Sequence, residues 1–481
     1  MLKKILGLVL VRLYLFIGLI LCNSLFAADF YEKTNFIFSQ SISDLKKIGI
    51  PKKSLGVSVA MLSENVYPFQ HEFAGINSNQ LFNPASVMKL ITTRAALDLI
   101  GKDYRFKTNL LTTGILKNGV LEGEIFLKGG GDPKLIIEDI EKIVEELRSR
   151  GLNEIRGKWV MDDSLFNEPE VNPASFDGQP MKPYNVGPNS AMINFKSTEL
   201  LIEKKRKKIN LSIKPELADV TLRNKLYFVR GSCERNMFLP NYSKGILTIR
   251  GRFGNRCKSD NSFISLMKQK DFGYSVFKKA WEKSGGVIEA KIESGVTPKN
   301  AKLLYSWTSP RTLSDIVSDI NTMSNNTMAR TVFLNLSANK NTSGSLKISR
   351  SIINNWLVKK GFNFKNMLID NGSGLSRKVQ ISPYDMTSFL LNSITQDDAY
   401  LWINSLAKAG INGTAKNRFK KMEVKGQAWV KTGSLEEVQA CSGYIKTKNK
   451  KWIVFSIFVS HKNAEKSKNI IDKLINSLYR I

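Results

Sequence analysis

The sequence predicts a multi-domain protein of mixed α/β (α+β) class. A chain of 481 residues with 42% apolar side chains is long enough for roughly three packed domains. Helical and strand periodicities open the chain and return from Ser306 onward. Between them, residues 104–127 and 157–296 carry mostly short alternating stretches and turns, as in antiparallel hairpins. One or two inserted domains of structural or gating role are expected there.

The first 28 residues read as an export signal. Lys3 and Lys4 precede an apolar run over residues 5–21, and the small residues Ala27 and Ala28 stand just before Asp29. This is the layout of a cleaved secretory signal, so a periplasmic location is expected; a retained anchor is the other reading. Leu21 before Cys22 is bulkier than a lipid-modified cysteine prefers. Loss of Cys22 leaves Cys233, Cys257 and Cys441. In an oxidising compartment Cys233 and Cys257 are the expected disulfide, with Cys441 a buried thiol.

His71 and His461 are the only histidines and there is no Cys-x-x-Cys pair. No metal site and no cofactor are expected, and a Ser-His-Asp triad has little to draw on. The formal charge is 72 − 42 = +30. Its densest run, Lys204-Lys205-Arg206-Lys207-Lys208, has no interleaved aromatic, so a solvated face or weak attraction to an anionic polymer is expected and not a nucleic-acid site.

The elements follow in order. Residues 36–47 form an amphipathic helix and residues 55–62 a strand. Residues 104–127 form hairpins turning at Asn118-Gly119 and Glu122-Gly123. Gly129-Gly130-Gly131-Asp132-Pro133 lacks a following Gly-Lys-Ser/Thr and reads as a tight turn. Residues 136–148 form a charged helix ended by Gly151. Strands are expected at 226–229 and 246–250, and a helix at 278–283. Residues 312–323 carry Leu313, Ile316, Val317 and Ile320 at helical spacing, and a second helix resumes near Met328. A strand at 368–370 enters a glycine-rich turn, and Ser382-Pro383 starts a helix. A strand at 428–430 leads into Lys431-Thr432-Gly433-Ser434, followed by a strand over 452–459 and a helix over 463–479.

Three short motifs carry chemistry. Ser86 and Lys89 lie one helical turn apart, so the lysine amine reaches the serine hydroxyl. A serine hydroxyl needs an adjacent base, and a lysine serves when burial or neighbouring cations depress its pKa. Ser324-Asn325-Asn326 and Lys431-Thr432-Gly433 follow in order. In acyl transfer Ser86 would attack a carbonyl and Lys89 would take its proton. Ser324 would pass a proton to the leaving amine, and Asn326 would hold the substrate amide while bonding Lys89. Lys431 would bind a terminal carboxylate and lower the Lys89 pKa, with Thr432 and Gly433 beside it. The backbone N–H groups of Ser86 and Ser434 would form an oxyanion hole. Singly, each motif is an ordinary polar segment; together, in order, they form the triple known from penicillin-binding proteins and class A β-lactamases.

The chain resembles the class C penicillin-binding proteins, the D-alanyl-D-alanine carboxypeptidase/endopeptidase family. The resemblance rests on the three motifs and on the wide gap from Lys89 to Ser324, which that family fills with two extra domains. Residues 129–135, 370–377 and 409–414 with Arg418 match as well, and Cys233 and Cys257 fall where some members carry a pair. It implies a β-lactamase/transpeptidase-like core, an antiparallel sheet flanked by helices, assembled from the two flanks 29–103 and 300–481 with residues 104–299 as the inserted domains. It also implies serine D-Ala-D-Ala carboxypeptidase and DD-endopeptidase action on peptidoglycan peptides, with β-lactams as covalent inhibitors, peripheral membrane contact and a homodimer. Two departures stand out. Asn325 replaces the usual Asp of the middle motif, and Asp177, the nearest candidate for an aspartate at the rim, sits in a poorly matching neighbourhood. A serine β-lactamase and a non-catalytic wall-binding scaffold are the competing readings.

Overall fold

The computed structural model describes residues 29–62, 72–338 and 342–481. The segment read above as an export signal and His71 lie outside them.

The two flanks of the chain meet in one six-stranded antiparallel sheet. Its order is Ala407–Lys408, Ala428–Leu435, Val438–Lys446, Trp452–Ser460, Leu55–Met61 and Glu72–Ile76. The inner strands are runs of Val, Ile and Phe because helices cover both faces, so no polar face alternates with the apolar one. Leu55–Met61 is buried along its whole length for that reason. On one face Val57, Val59, Phe455 and Ile457 pack against the helix of residues 29–47 and the helix Lys468–Leu478. On the other, Ala60, Ala440, Tyr444 and Phe458 pack against Lys89–Leu99, Leu313–Met323, Asn326–Ala338 and Pro383–Ile394. The fold is the expected antiparallel sheet between helices.

The residues between the flanks build two further cores. The first is a sheet ordered Val287–Ser294, Glu154–Asp162, Val120–Lys128, Lys107–Thr112 and Lys302–Thr308. Helices Ile137–Ser149 and Gln269–Lys283 close it over Ile125, Ile140, Trp159, Phe277 and Trp281. Lys302–Thr308 pairs with Lys107–Thr112, so the boundary expected at residue 300 falls inside this sheet. The second core is a sandwich of two three-stranded sheets around Leu200, Ile202, Leu247, Ile249 and Phe253. A disulfide joins Cys233 to Cys257 beside it, and Cys441 is a buried free thiol.

Several local expectations change. Asn118 (φ 50°) and Gly119 (φ 80°) turn a two-residue hairpin as expected. Glu122-Gly123 does not turn: Gly123 lies within Val120–Lys128, where a Cβ would sit 2.6 Å from the Cα of Gly114. The glycine serves a close backbone approach. Residues 368–370 make only a single bridge, Leu368 to Gln380, because the chain then folds back onto the Ser86 turn. The strand expected to end at residue 430 runs on through Leu435, so Lys431-Thr432-Gly433 is strand and not a turn. The last helix begins at Lys468, after a 3₁₀ turn at Ala464–Ser467.

Candidate active site

Ser86 sits on a turn held in an uncommon conformation. Ala85 has φ 46°, a left-handed value that costs a non-glycine residue free energy. The Asn83 side chain stabilises it, accepting from the Ala85 N–H at 2.8 Å and donating to the Ser376 carbonyl at 2.9 Å. Ala85–Met88 is a 3₁₀ turn running directly into the helix Lys89–Leu99. In a 3₁₀ turn residues three apart eclipse, which stacks Lys89 over Ser86 more closely than an α-turn does.

Lys89 is fully buried. Its Nζ lies 2.8 Å from Ser86 Oγ, 2.7 Å from Asn326 Oδ1 and in contact with the Ser373 carbonyl. The amide and carbonyl oxygens only accept, whereas the hydroxyl also donates. A neutral amine meets this set completely, with two N–H bonds to the acceptors and its lone pair toward the Ser86 O–H. The electrostatics agree: burial pushes the Lys89 pKa well below its usual value, and the charges of Lys431 and Arg330 push it further.

Ser324 ends the helix Leu313–Met323 in a left-handed cap with φ 61°, and Asn326 opens the next helix. This elbow turns both side chains toward the lysines. Asn325, the departure from the usual motif, accepts from the Met328 N–H at 3.0 Å and so serves the start of the second helix, which an aspartate would do equally. Lys431 is also fully buried, with its Nζ 2.7 Å from Ser324 Oγ and 2.9 Å from the Thr432 carbonyl. Burial lowers its pKa to about 7, opposed by the Cys441 thiol on the neighbouring strand.

Gly433 lets the strand approach backbone to backbone: a Cβ there would lie 2.6 Å from the Pro84 carbonyl and 3.1 Å from the Ser86 nitrogen. Thr432 Oγ1 donates to Thr414 Oγ1 at 2.9 Å, and Ser434 Oγ donates to Gln439 Oε1 at 2.9 Å. Ser86, Lys89 and Asn326 therefore share one hydrogen-bonded cluster, and Lys431 shares another with Ser324. The Thr432 and Ser434 hydroxyls bond neighbours outside both clusters.

Sequence reasoning missed three contributors. The Asn371–Leu375 turn delivers the Ser373 carbonyl to Lys89. It fits because Gly374, at φ 76°, has no Cβ to strike the Ala85 carbonyl 1.9 Å away. Arg330 is buried one turn after Asn326, its pKa lowered by burial to about 10. Tyr184, from the inserted residues, accepts the Asn326 Nδ2 hydrogen bond on its carbonyl at 3.3 Å. Its hydroxyl donates to Asp177 at 2.8 Å, and Asn185 donates to the same carboxylate at 2.7 Å. Burial would raise the Asp177 pKa, but these bonds and the Gln179 N–H hold it below the usual carboxylate range. Asp177 is thus occupied in organising its own loop. Residues Met323, Ser324 and Asn326 face Tyr184, Phe195 and Phe263 across a cleft of about 640 Å³.

Known proteins share this arrangement of domains. The sequence is 22% identical over 429 residues to the D-alanyl-D-alanine carboxypeptidase DacB of Haemophilus influenzae, covering 87% of this chain and 88% of that one. It is 23% identical over 382 residues to a D-alanyl-D-alanine carboxypeptidase of an Actinomadura strain, covering 75% and 70%. The crystal structure of penicillin binding protein 4 (dacB) from Haemophilus influenzae superposes with a TM-score of 0.73 at 21% identity, over 92% of this chain and 99% of that one. The profile of the D-Ala-D-Ala carboxypeptidase 3 (S13) family matches residues 43–480. With that span matched from the first sheet strand to the last helix, the chain belongs to the D-Ala-D-Ala carboxypeptidase 3 (S13) family.

Proposed function

We propose that this protein is an exported serine D-Ala-D-Ala carboxypeptidase and DD-endopeptidase that works through an acyl-enzyme on Ser86. The observation that carries the reading is the fully buried Lys89 amine, 2.8 Å from Ser86 Oγ, with two acceptors taking its N–H bonds. Ser86 Oγ attacks the carbonyl of the penultimate D-alanine while its proton passes to Lys89. The tetrahedral oxyanion is met by backbone N–H groups of Ser86 and Ser434. Collapse breaks the peptide bond, and the departing amine takes, through Ser324, the proton that Lys89 had received, which leaves Lys89 neutral again. Lys431, with Thr432 and Gly433 beside it, holds the terminal carboxylate. Water then attacks the ester and gives its proton to Lys89, which passes it to the Ser86 oxygen as the ester bond breaks.

Removing the base of such a pair costs about 10²–10⁴ in rate from proton transfer alone. In the endopeptidase mode the departing amine belongs to a second stem peptide. The cleft lined by Tyr184 and Ser324 supports a gating role of the inserted residues over that exchange. A structure of the Haemophilus influenzae relative is complexed with a β-lactam and matches at a TM-score of 0.69, which supports β-lactam binding by this chain. Residues 1–28 would direct the chain to the periplasm, where peptidoglycan is found.

The test is fluorescent penicillin labelling of the purified protein beside Ser86→Ala, followed by intact mass. One adduct per chain on the native protein alone establishes the nucleophile. An adduct surviving for hours marks a penicillin-binding protein, and one too brief to trap marks a β-lactamase. No adduct on folded protein would sink the enzyme reading and favour a wall-binding scaffold.

A further inference from the structure

A cavity of about 320 Å³ lies beside the catalytic cleft and shares one turn with it. Asn194 and Phe195 of that turn line the cleft, whereas Lys196 lines the cavity. All three are left-handed, at φ 46°, 56° and 49°. A run of left-handed residues without glycine is strained, and strain of this kind gathers where a chain serves a ligand. Here it delivers neighbouring side chains to two separate spaces.

The charged groups of the cavity wall fall into two sets. Asp163 accepts from the Asn189 side chain and Glu168 from the Leu346 N–H, so both carboxylates hold the wall together. Lys270 donates to the Ile292 carbonyl at 3.2 Å. Among the described residues the side chains of Lys196, Lys268 and Glu170 make no hydrogen bond or ion pair. Lys196 is the costliest of the three to leave alone. Burial lowers its pKa, and the charge of Glu170 opposes that without closing an ion pair. Gln269 adds a buried side-chain N–H group with no partner, at the start of a helix that has no capping side chain. Buried donors are nearly always bonded. Unbonded cations and an amide donor, together with one unbonded carboxylate, match a small ligand that carries both charges.

We propose that this cavity binds a free α-amino acid, with its carboxylate on Lys196 and Gln269 and its ammonium on Glu170. An inorganic anion would leave Glu170 facing like charge, and a simple amine would leave Lys196 unpaired. The volume stands at the small end of the ~300–1,000 Å³ range of ligand pockets, which suits a ligand of a few heavy atoms. D-Alanine has this chemistry, and a D-Ala-D-Ala carboxypeptidase releases it in the adjoining cleft. Naming D-alanine rests on the activity proposed above; the charge pattern of the cavity stands without it.

The experiment is isothermal titration calorimetry of the purified exported chain with D-alanine, after penicillin has acylated Ser86 and filled the catalytic site. If Ser86 takes no penicillin, Lys431→Met protein replaces the acylated form, so failure of the catalytic reading leaves this test standing. One D-alanine per chain is expected. N-Acetyl-D-alanine lacks the ammonium and D-alanine amide lacks the carboxylate, and each should bind about tenfold more weakly or worse. Glu170→Gln and Lys196→Met should each weaken D-alanine by a similar factor, and Lys196→Arg should largely restore it. Lys142→Met, on an exposed helix face outside the cavity, should change nothing. Thermal melts of each variant show that it is folded. Binding of L-alanine supports the site, and a preference for the D form identifies the reaction product as its ligand. No binding at millimolar D-alanine, binding indifferent to both cavity variants, or equal binding of N-acetyl-D-alanine would each overturn the proposal.

Discussion

Lys89 Nζ and Asn326 Oδ1 lie 2.7 Å apart across 237 residues of sequence. The same amide reaches the other way, its Nδ2 donating to the Tyr184 carbonyl of the inserted residues. One side chain therefore bonds the proposed base and ties the insertion to the rim of the candidate site. An amide can do both because its oxygen accepts and its nitrogen donates in fixed opposition. Asn326→Asp should keep the shape, lose the Tyr184 bond and put a negative charge beside Lys89. That charge raises the Lys89 pKa, and penicillin acylation at neutral pH should fall by about tenfold or more.

The two lysines set opposite limbs of the pH profile. In the proposed mechanism acylation needs Lys89 neutral, so the rate should fall on the acid side as Lys89 takes up a proton. The proposed substrate anchoring needs Lys431 charged, and burial lowers its pKa to about 7. Peptide turnover should therefore decline as pH rises through that value. Arg330 lowers the Lys89 pKa by its charge, so Arg330→Met should move the acid limb to higher pH, and Arg330→Lys should largely restore it. Stopped-flow penicillin acylation across pH measures both.

Burying Lys431 also costs stability. Its pKa falls from 10.5 to about 7 on folding, so between those values the unfolded chain binds more protons than the folded one. Stability consequently rises with pH through that window, and the penalty is fully present below it. Lys431→Met should be inactive yet more stable than the native protein at pH 6, by on the order of 2–3 kcal/mol after loss of the Ser324 hydrogen bond. Thermal melts at pH 6 and pH 10 should show that advantage shrinking at the higher pH.

Gly374→Ala tests the close approach beneath Ser86. A Cβ there would lie 1.9 Å from the Ala85 carbonyl, at a φ of 76° that disfavours any side chain. A loss of about 2–4 kcal/mol is expected. Penicillin labelling should fall beyond what unfolding explains, because the turn carrying Ser86 must shift.

Asp177 receives hydrogen bonds from Tyr184 and Asn185 and so acts on the cleft through its loop. Asp177→Ala should free that loop, raise KM for stem peptides several-fold and leave acylation by a small penicillin nearly unchanged. A parallel loss of penicillin acylation would place the residue closer to the chemistry.

Much of this was legible in the chain. Leu313, Ile316, Val317 and Ile320 mark their helix by spacing, Asn118-Gly119 marks its turn by the need for positive φ, and Ser86-x-x-Lys89 is a contact within one turn. Such signals are local, and short-range geometry determines them. Gly123 reads as a turn, and the strand before Lys431 reads as ending at residue 430, because glycine marks a bend and a close backbone approach in the same way. Which it serves depends on what packs across it.

Local patterns in the chain set the order of elements and the residue types able to activate a serine. How these groups act together depended on packing across the whole fold. The Ser373 carbonyl, Arg330 and the Tyr184 loop carry no motif, since a carbonyl belongs to every residue and a buried cation looks like a surface one in a string of letters. Burial is a property of the assembled core, and burial with the neighbouring cations is what lowers the pKa of Lys89 so far below that of an ordinary lysine.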